Sequence, residues 1–168
     1  MVNKIATATY NSPCGVLVLG VIDGKLCLCD WDIPSRRAVV DCALCKFFDA
    51  EMVEGHDELL TEAARQLDEY FSGRRRYFSV TLAFSSCGLK SDVWTELQKI
   101  AYGETVSYSQ VAAAIGRPNA VRAVASAIGA NPISIFIPCH RVIGKSGALT
   151  GYAGGLEAKK TLLEIEQR

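Results

Sequence analysis

Cys139, His140 and Arg141 follow one another directly after the apolar run Ile133 to Ile137 and Pro138. The thiolate, not the thiol, is the nucleophile, and cationic neighbours lower a thiol pKa. A cysteine beside an imidazole and a guanidinium, at the end of a buried segment, points to an activated nucleophile. The run Ile133 to Ile137 reads as a strand that carries the thiol to the floor of a pocket. The competing reading is a structural core cysteine next to a surface His-Arg pair.

What surrounds this stretch limits the choice. At 168 residues and 49% hydrophobic composition, the chain can bury a core in one domain or two small ones. No apolar run approaches the length of a membrane span, and Met1 to Ile5 lacks the apolar core of a signal peptide. This leads to the expectation of a cytoplasmic protein without membrane contact. Seven cysteines, an odd number, suit free thiols in a reducing compartment. The net charge of zero hides an asymmetry. Residues 1–89 hold nine Lys/Arg and twelve Asp/Glu, whereas residues 90–168 hold nine and six. The 52 residues from Thr105 to Leu156 contain no carboxylate, and their cations are Arg117, Arg122, Arg141 and Lys145. A carboxylate-free face suits a polyanion; a buried region rich in small residues would look the same.

The elements that must position the thiol are read from pattern. Lys4 to Tyr10, Gly15 to Val21 and Lys25 to Trp31 read as strands, the last two joined by a hairpin turn at Asp23-Gly24. Ser35 to Phe48 is compatible with a helix or an irregular excursion. Asp57 starts a helix with Leu59, Leu60, Ala63, Ala64, Leu67, Tyr70 and Phe71 on one face. Arg74 to Arg76 reads as a solvated cluster after that helix, leading into a strand, Tyr77 to Leu82. This half is a small antiparallel sheet with one packed helix, and Ala83 to Lys90 is a linker. Ser91 caps the next helix. Ser107 to Gln110 is a capping box that opens a short helix to Ile115. After Gly116-Arg117-Pro118, Asn119 caps a helix from Ala120 to Ile128. Helix, glycine turn, helix is a helix-turn-helix pattern, and the second helix has only one charged side chain, Arg122. Ile143 to Leu149 reads as a hairpin wing, Gly151 to Gly155 as a lid, and Leu156 to Gln167 as a closing helix with Leu163 toward the core.

Pro138-Cys139-His140-Arg141-Val142, preceded by Asn131-Pro132 and followed by Gly151-Tyr152-Ala153-Gly154-Gly155, resembles the O6-alkylguanine-DNA alkyltransferase family. Gly103 to Tyr108 and Arg122-Ala123-Val124 fall in the family's order, and the match runs from about Ser91 to the C-terminus. The resemblance implies an α/β (α+β) fold. A ribonuclease-H-like antiparallel sheet domain would span residues 1–83, and a winged-helix-like, helix-turn-helix domain that binds DNA and accepts the alkyl group would span residues 84–168. It implies direct-reversal DNA repair: the alkyl group of O6-alkylguanine, or less readily of O4-alkylthymine, moves irreversibly to Cys139, so each molecule acts once.

The same resemblance implies roles. His140 accepts the thiol proton through a water, and Glu166 orients and charge-balances His140, in the manner of a nucleophile–base–carboxylate triad. Asn131 ties the turn before the active-site stretch to the helix-turn-helix. A base inside a duplex must be flipped to be reached. Arg122 fills the space it leaves, while Ala123, Ala125, Ser126 and Ala127 let the helix seat closely in the minor groove. Tyr108 crowds the target phosphate and offers its hydroxyl to the purine ring. The carbonyl of Val142 and the lid around Tyr152 read the guanine edge.

Two positions depart from many relatives. Ala153 replaces a serine, which leaves only a backbone amide there. Ser134 stands where some relatives have proline and accept benzyl groups better, so small alkyl groups are expected. Zinc is known in some relatives; Cys42-Ala43-Leu44-Cys45 is a weak metal signal, and no metal or cofactor is expected. The expected partner is double-stranded DNA with O6-alkylguanine lesions, bound by a monomer. Three other readings remain open: an alkyltransferase-like lesion binder, against which the presence of Cys139 argues; a winged-helix transcription factor; and a Cys-His hydrolase.

Overall fold

The computed structural model describes residues 2–168. The chain divides into two compact units, one up to Ala83 and one from Phe84 to Arg168.

In the first unit, β1 (Asn3–Ser12), β2 (Gly15–Ile22) and β3 (Lys25–Trp31) form an antiparallel meander. Asp23 and Gly24 both take positive φ, 48° and 68°, as a two-residue turn matched to strand twist requires. The chain then crosses over through α1 (Pro34–Phe48), so that β4 (Ala50–Glu54) joins β1 in parallel. The sheet order is β3-β2-β1-β4. The undecided segment is therefore a helix. Its outward face carries Val39 and Phe47, both exposed, which blurs the apolar stripe a sequence pattern would need. Its inward residues Val40 and Leu44 pack with Ile5, Ile22, Cys27 and Leu28. The second helix, α2 (Glu58–Phe71), buries Leu60, Ala63, Leu67 and Tyr70. Asp57 caps it by accepting from the Leu59 amide at 2.7 Å. The unit thus has two packed helices and a mixed sheet, rather than one helix and a purely antiparallel sheet.

Tyr77 to Leu82 is not a strand. Among the described residues it forms an isolated bridge with Leu26, which donates to the Thr81 carbonyl and accepts from the Ala83 amide, both at 2.8 Å. The segment is held by side chains instead. The Ser79 amide donates to Gln66 at 3.0 Å, Phe78 packs on Tyr70 and Tyr77 lies in solvent.

In the second unit, α3 (Gly88–Leu97) has Cys87 at its N-cap position without a side-chain bond, and Ser91 is buried inside the helix rather than capping it. A left-handed Gly88 (φ 85°) lets the helix begin earlier than the pattern suggests. β5 (Val106–Ser107) leads into α4 (Tyr108–Ala114), whose capping box is formed on both sides. Gly116, at φ 73°, makes the turn to α5 (Val121–Gly129). Ala120, not Asn119, is its N-cap, without a side-chain bond. Trp94 donates its indole N–H to the Ala127 carbonyl at 2.8 Å, which locks α3 to α5.

The wing is not a hairpin. β6 (Val142–Ile143) pairs in parallel with β5, and Gly144 to Ala148 close on themselves as a turn. The last helix, α6 (Leu156–Glu166), buries Ala158, Lys159, Leu162, Ile165 and Glu166, while Leu163 is only half-buried.

Candidate active site

Ile133 to Ile137 is buried throughout, but it is not a strand. The segment folds back on itself, with the Ile137 amide on the Ile133 carbonyl and the Phe136 amide on that of Ser134, both at 2.9 Å. Ile135 takes φ 73°, a costly conformation for a β-branched residue. Asn131 holds the turn from inside. Its carbonyl oxygen accepts from the Ile133 amide at 2.9 Å, and its amide nitrogen donates to the Ile137 carbonyl at 2.9 Å. The same nitrogen reaches the Cys139 sulfur at 3.2 Å. The turn ends at Pro138, and a single 3-10 turn, Cys139–Arg141, presents the thiol and the imidazole.

Glu166 is no frayed terminal acid. It is 4% exposed and gathers four donors. His140 Nε2 lies 2.6 Å from its Oε1; Arg141 grips it with Nε at 2.9 Å and a terminal nitrogen at 3.0 Å; and the Gly103 amide donates at 3.2 Å. Burial alone would push this carboxyl up, but the hydrogen bonds and charges of His140 and Arg141 bring it to about 2. Burial pushes His140 the other way, below its ordinary value, against the pull of Glu166. A neutral imidazole that donates Nε2–H to Glu166 keeps its basic lone pair on Nδ1. Gly103 also fixes the end of α6. Its φ is 79°, and a Cβ there would stand 3.0 Å from the Glu166 carbonyl.

The parallel pairing of Val106 with Val142 and of Ser107 with Ile143 sets the start of α4, and with it Tyr108, next to the residues that follow the cysteine turn. Its hydroxyl donates to the Thr150 carbonyl at 2.8 Å, at the entrance to the 151–155 loop. Lys159, fully buried on α6, bonds the Thr150 and Gly151 carbonyls at 3.2 and 3.4 Å and lies 5.9 Å from the Tyr108 ring centre. Burial lowers its pKa and the charge of Cys139 raises it. On α5, Arg122, Ala123 and Ser126 are exposed and Ala125 is half-buried, whereas Ala127 is buried on the face that packs on Trp94 and does not reach the outer surface. Ser134 and Val142 are buried, while Tyr152 and Ala153 are half-buried.

The fold therefore brings Cys139, His140, Asn131 and Glu166 together and leaves the α5 residues on a separate outer face. Sequence reasoning placed Arg141 as a cation beside the thiol, but it faces Glu166. It passed over Lys159 altogether; a lone lysine on the core face of an amphipathic helix was the available signal. Among the described residues no group of three or more possible metal ligands gathers.

Models of the two 6-O-methylguanine DNA methyltransferase domains match this chain, the ribonuclease-like domain over residues 5–84 and the DNA binding domain over residues 88–168. The inducible methylated-DNA–protein-cysteine methyltransferase of Bacillus subtilis is 46% identical over 123 residues, which cover 73% of this chain and 69% of that protein. The methylated-DNA–protein-cysteine methyltransferase of Methanosarcina barkeri is 48% identical over 118 residues, 70% of this chain and 74% of the relative. Among solved structures, that of Mycobacterium tuberculosis OGT in complex with DNA superimposes with a TM-score of 0.79 at 38% identity, covering 98% of this chain and 92% of that one.

Proposed function

From a chain that belongs to the 6-O-methylguanine DNA methyltransferase family, we propose a repair reaction in which Cys139 takes the alkyl group from O6-alkylguanine in duplex DNA. Repair by alkyl transfer to a cysteine is the family's activity and that of this protein; the assignment of its residues is our reading. The observation that carries it is the buried succession of Asn131 on the sulfur at 3.2 Å, His140 next in the turn, and Glu166 on His140 at 2.6 Å. An amide N–H directed at the sulfur favours its anion.

In this reading His140 Nδ1 takes the thiol proton through a water. The sulfur attacks the O6-alkyl carbon, the S–C bond forms as the C–O6 bond breaks, and the electron pair leaves with guanine. The Tyr108 hydroxyl, exchanging its bond to Thr150, supplies a proton to the ring so that neutral guanine departs. The thioether is stable, so each molecule reacts once. The second unit, residues 84–168, binds DNA and accepts the alkyl group; the first, residues 1–83, is the ribonuclease-like domain. Arg122 enters the stack as the base flips, and Ala123, Ala125 and Ser126 line the close approach to the minor groove. The Val142 carbonyl and the loop at Tyr152 and Ala153 meet the guanine edge, and Ser134 borders the alkyl group, favouring small ones over benzyl. O4-alkylthymine reacts less readily. The protein works as a cytoplasmic monomer.

Intact mass after incubation with duplex DNA carrying O6-methylguanine tests the proposal. One added methyl per chain is expected, with no second turnover. Repeated turnover would favour a Cys-His hydrolase, and duplex binding without mass gain would favour a lesion binder or a transcription factor.

A further inference from the structure

We infer that Arg141 is a positioning residue for the alkyl transfer, its guanidinium balancing the charge of Glu166 so that His140 rests as a neutral imidazole able to take the Cys139 proton. The inference rests on the alkyl-transfer reading above and adds a residue to it.

The geometry is specific. The guanidinium holds Glu166 by a two-point fork at 2.9 and 3.0 Å, and its third nitrogen donates to the Ile100 carbonyl at 2.6 Å. Its carbon lies 5.8 Å from the Tyr102 ring centre. A planar fork fixed at both ends cannot swing away as a lysine could. Arg141 and Glu166 thus form a buried pair of nearly zero net charge, and His140 hydrogen-bonds to a carboxylate already compensated. Without the guanidinium, the same carboxylate would be a lone buried anion 2.6 Å from an imidazole. It would draw a proton onto His140 at rest, and a ring already protonated cannot accept the thiol's proton. The other groups facing His140 fit this balance. Cys139 and Arg141 flank it on the 3-10 turn, and Asn131 is uncharged. Lys159, from α6, directs its ammonium to the Thr150 and Gly151 carbonyls rather than to Glu166.

The test follows Cys139 alkylation by iodoacetamide against pH in the full chain, read on the Cys139 peptide by mass spectrometry. Removing a compensating cation raises proton affinity, so in Arg141→Gln the acid limb of the profile moves up by about 1 to 3 pH units. Arg141→Lys keeps the charge and holds the limb near the wild-type position. The double variant Arg141→Gln/Glu166→Gln, which restores the charge balance, brings the limb back. A purely structural role would lower the melting temperature in all three and move no limb. An unmoved limb in Arg141→Gln, or a limb that stays high in the double variant, would overturn the inference. If the neutral variants do not fold, the wild-type imidazole decides by NMR. Neutral His140 with the proton on Nε2 at pH 7 supports the inference, and imidazolium overturns it. The profile needs no DNA. Wild-type protein that fails to take methyl from duplex O6-methylguanine while keeping the expected limbs would sink the alkyl-transfer reading alone.

Discussion

The two units use charge in opposite ways. In the first, ion pairs sit mostly near the surface: Arg65 bridges Glu62 and Glu69, and Arg75 joins Glu69. Its buried Asp30 is held by Arg36 and Arg37 at the start of α1, and among the described residues of this unit the other buried side chains, Gln66 and Arg37 apart, are apolar groups and thiols. The Cys27 thiol is raised to about 12, chiefly by burial, so it is a core residue and not a nucleophile. In the second unit, His140, Arg141, Lys159 and Glu166 are all buried, and all four lie around one cysteine turn. Exposed pairs contribute little, whereas buried ones cost several kcal/mol to desolvate unless fully bonded. Such a concentration makes sense where a proton has to be moved.

The sharpest way to break this comparison is one substitution in each unit. Cys139→Ala should abolish methyl transfer and leave the melting temperature within a few degrees. Leu67→Ala, fully buried in α2, should cost about 2 to 5 kcal/mol of stability and leave transfer per folded molecule unchanged. Chemical denaturation and single-turnover transfer, run on both, separate the two effects.

Acid should act on the second unit's charges in two steps. His140 is held below its ordinary 6.5, so below that pH the unfolded chain takes up a proton that the folded one does not, and stability falls. Glu166, lowered from 4.5 to about 2, contributes stability that is complete above its ordinary value and lost as pH falls toward 2. The full contribution is about 3 kcal/mol. Unfolding free energy measured from pH 7 to pH 3 should decline through both windows, and Glu166→Gln should flatten the lower one.

Arg122→Ala tests the outer face. Unstacking a base costs a few kcal/mol, so repair in duplex should slow by about 10- to 100-fold while reaction with the free O6-alkylguanine base is unchanged. Equal losses on both substrates would remove Arg122 from flipping.

The smallest expected effects compare two helix caps. Asp57→Ala and Ser107→Ala each lose a side-chain cap worth about 1 kcal/mol. Only Ser107→Ala, one residue from Tyr108, should also slow transfer from duplex DNA, in the same single-turnover assay.

These contrasts also mark what could be read from the chain alone. The Asp23-Gly24 turn, the helix start at Asp57 and the Ser107–Gln110 box were legible because residues within three positions decide them. The apolar run Ile133 to Ile137 has the composition of a strand, but the Asn131 side chain bends it and puts Ile135 at positive φ, which composition does not encode. Tyr77 to Leu82 fails as a strand for a similar reason: Gln66 and Tyr70 on α2 capture its residues. Cys139 and His140 stood out through their neighbours in sequence. The assignment of Glu166 came from resemblance, and its grip by Arg141 spans 25 residues. Lys159 looked like any helix lysine until its burial against the Thr150 carbonyl gave it a place.

The most direct test is to locate the methyl group. After reaction of the full chain with an excess of duplex O6-methylguanine DNA, peptide mass spectrometry can distinguish all seven cysteines. The account predicts the methyl on the Cys139 peptide alone, at one per chain. A methyl on any other cysteine, or an unmodified Cys139 in protein that has cleared the lesion, would contradict it.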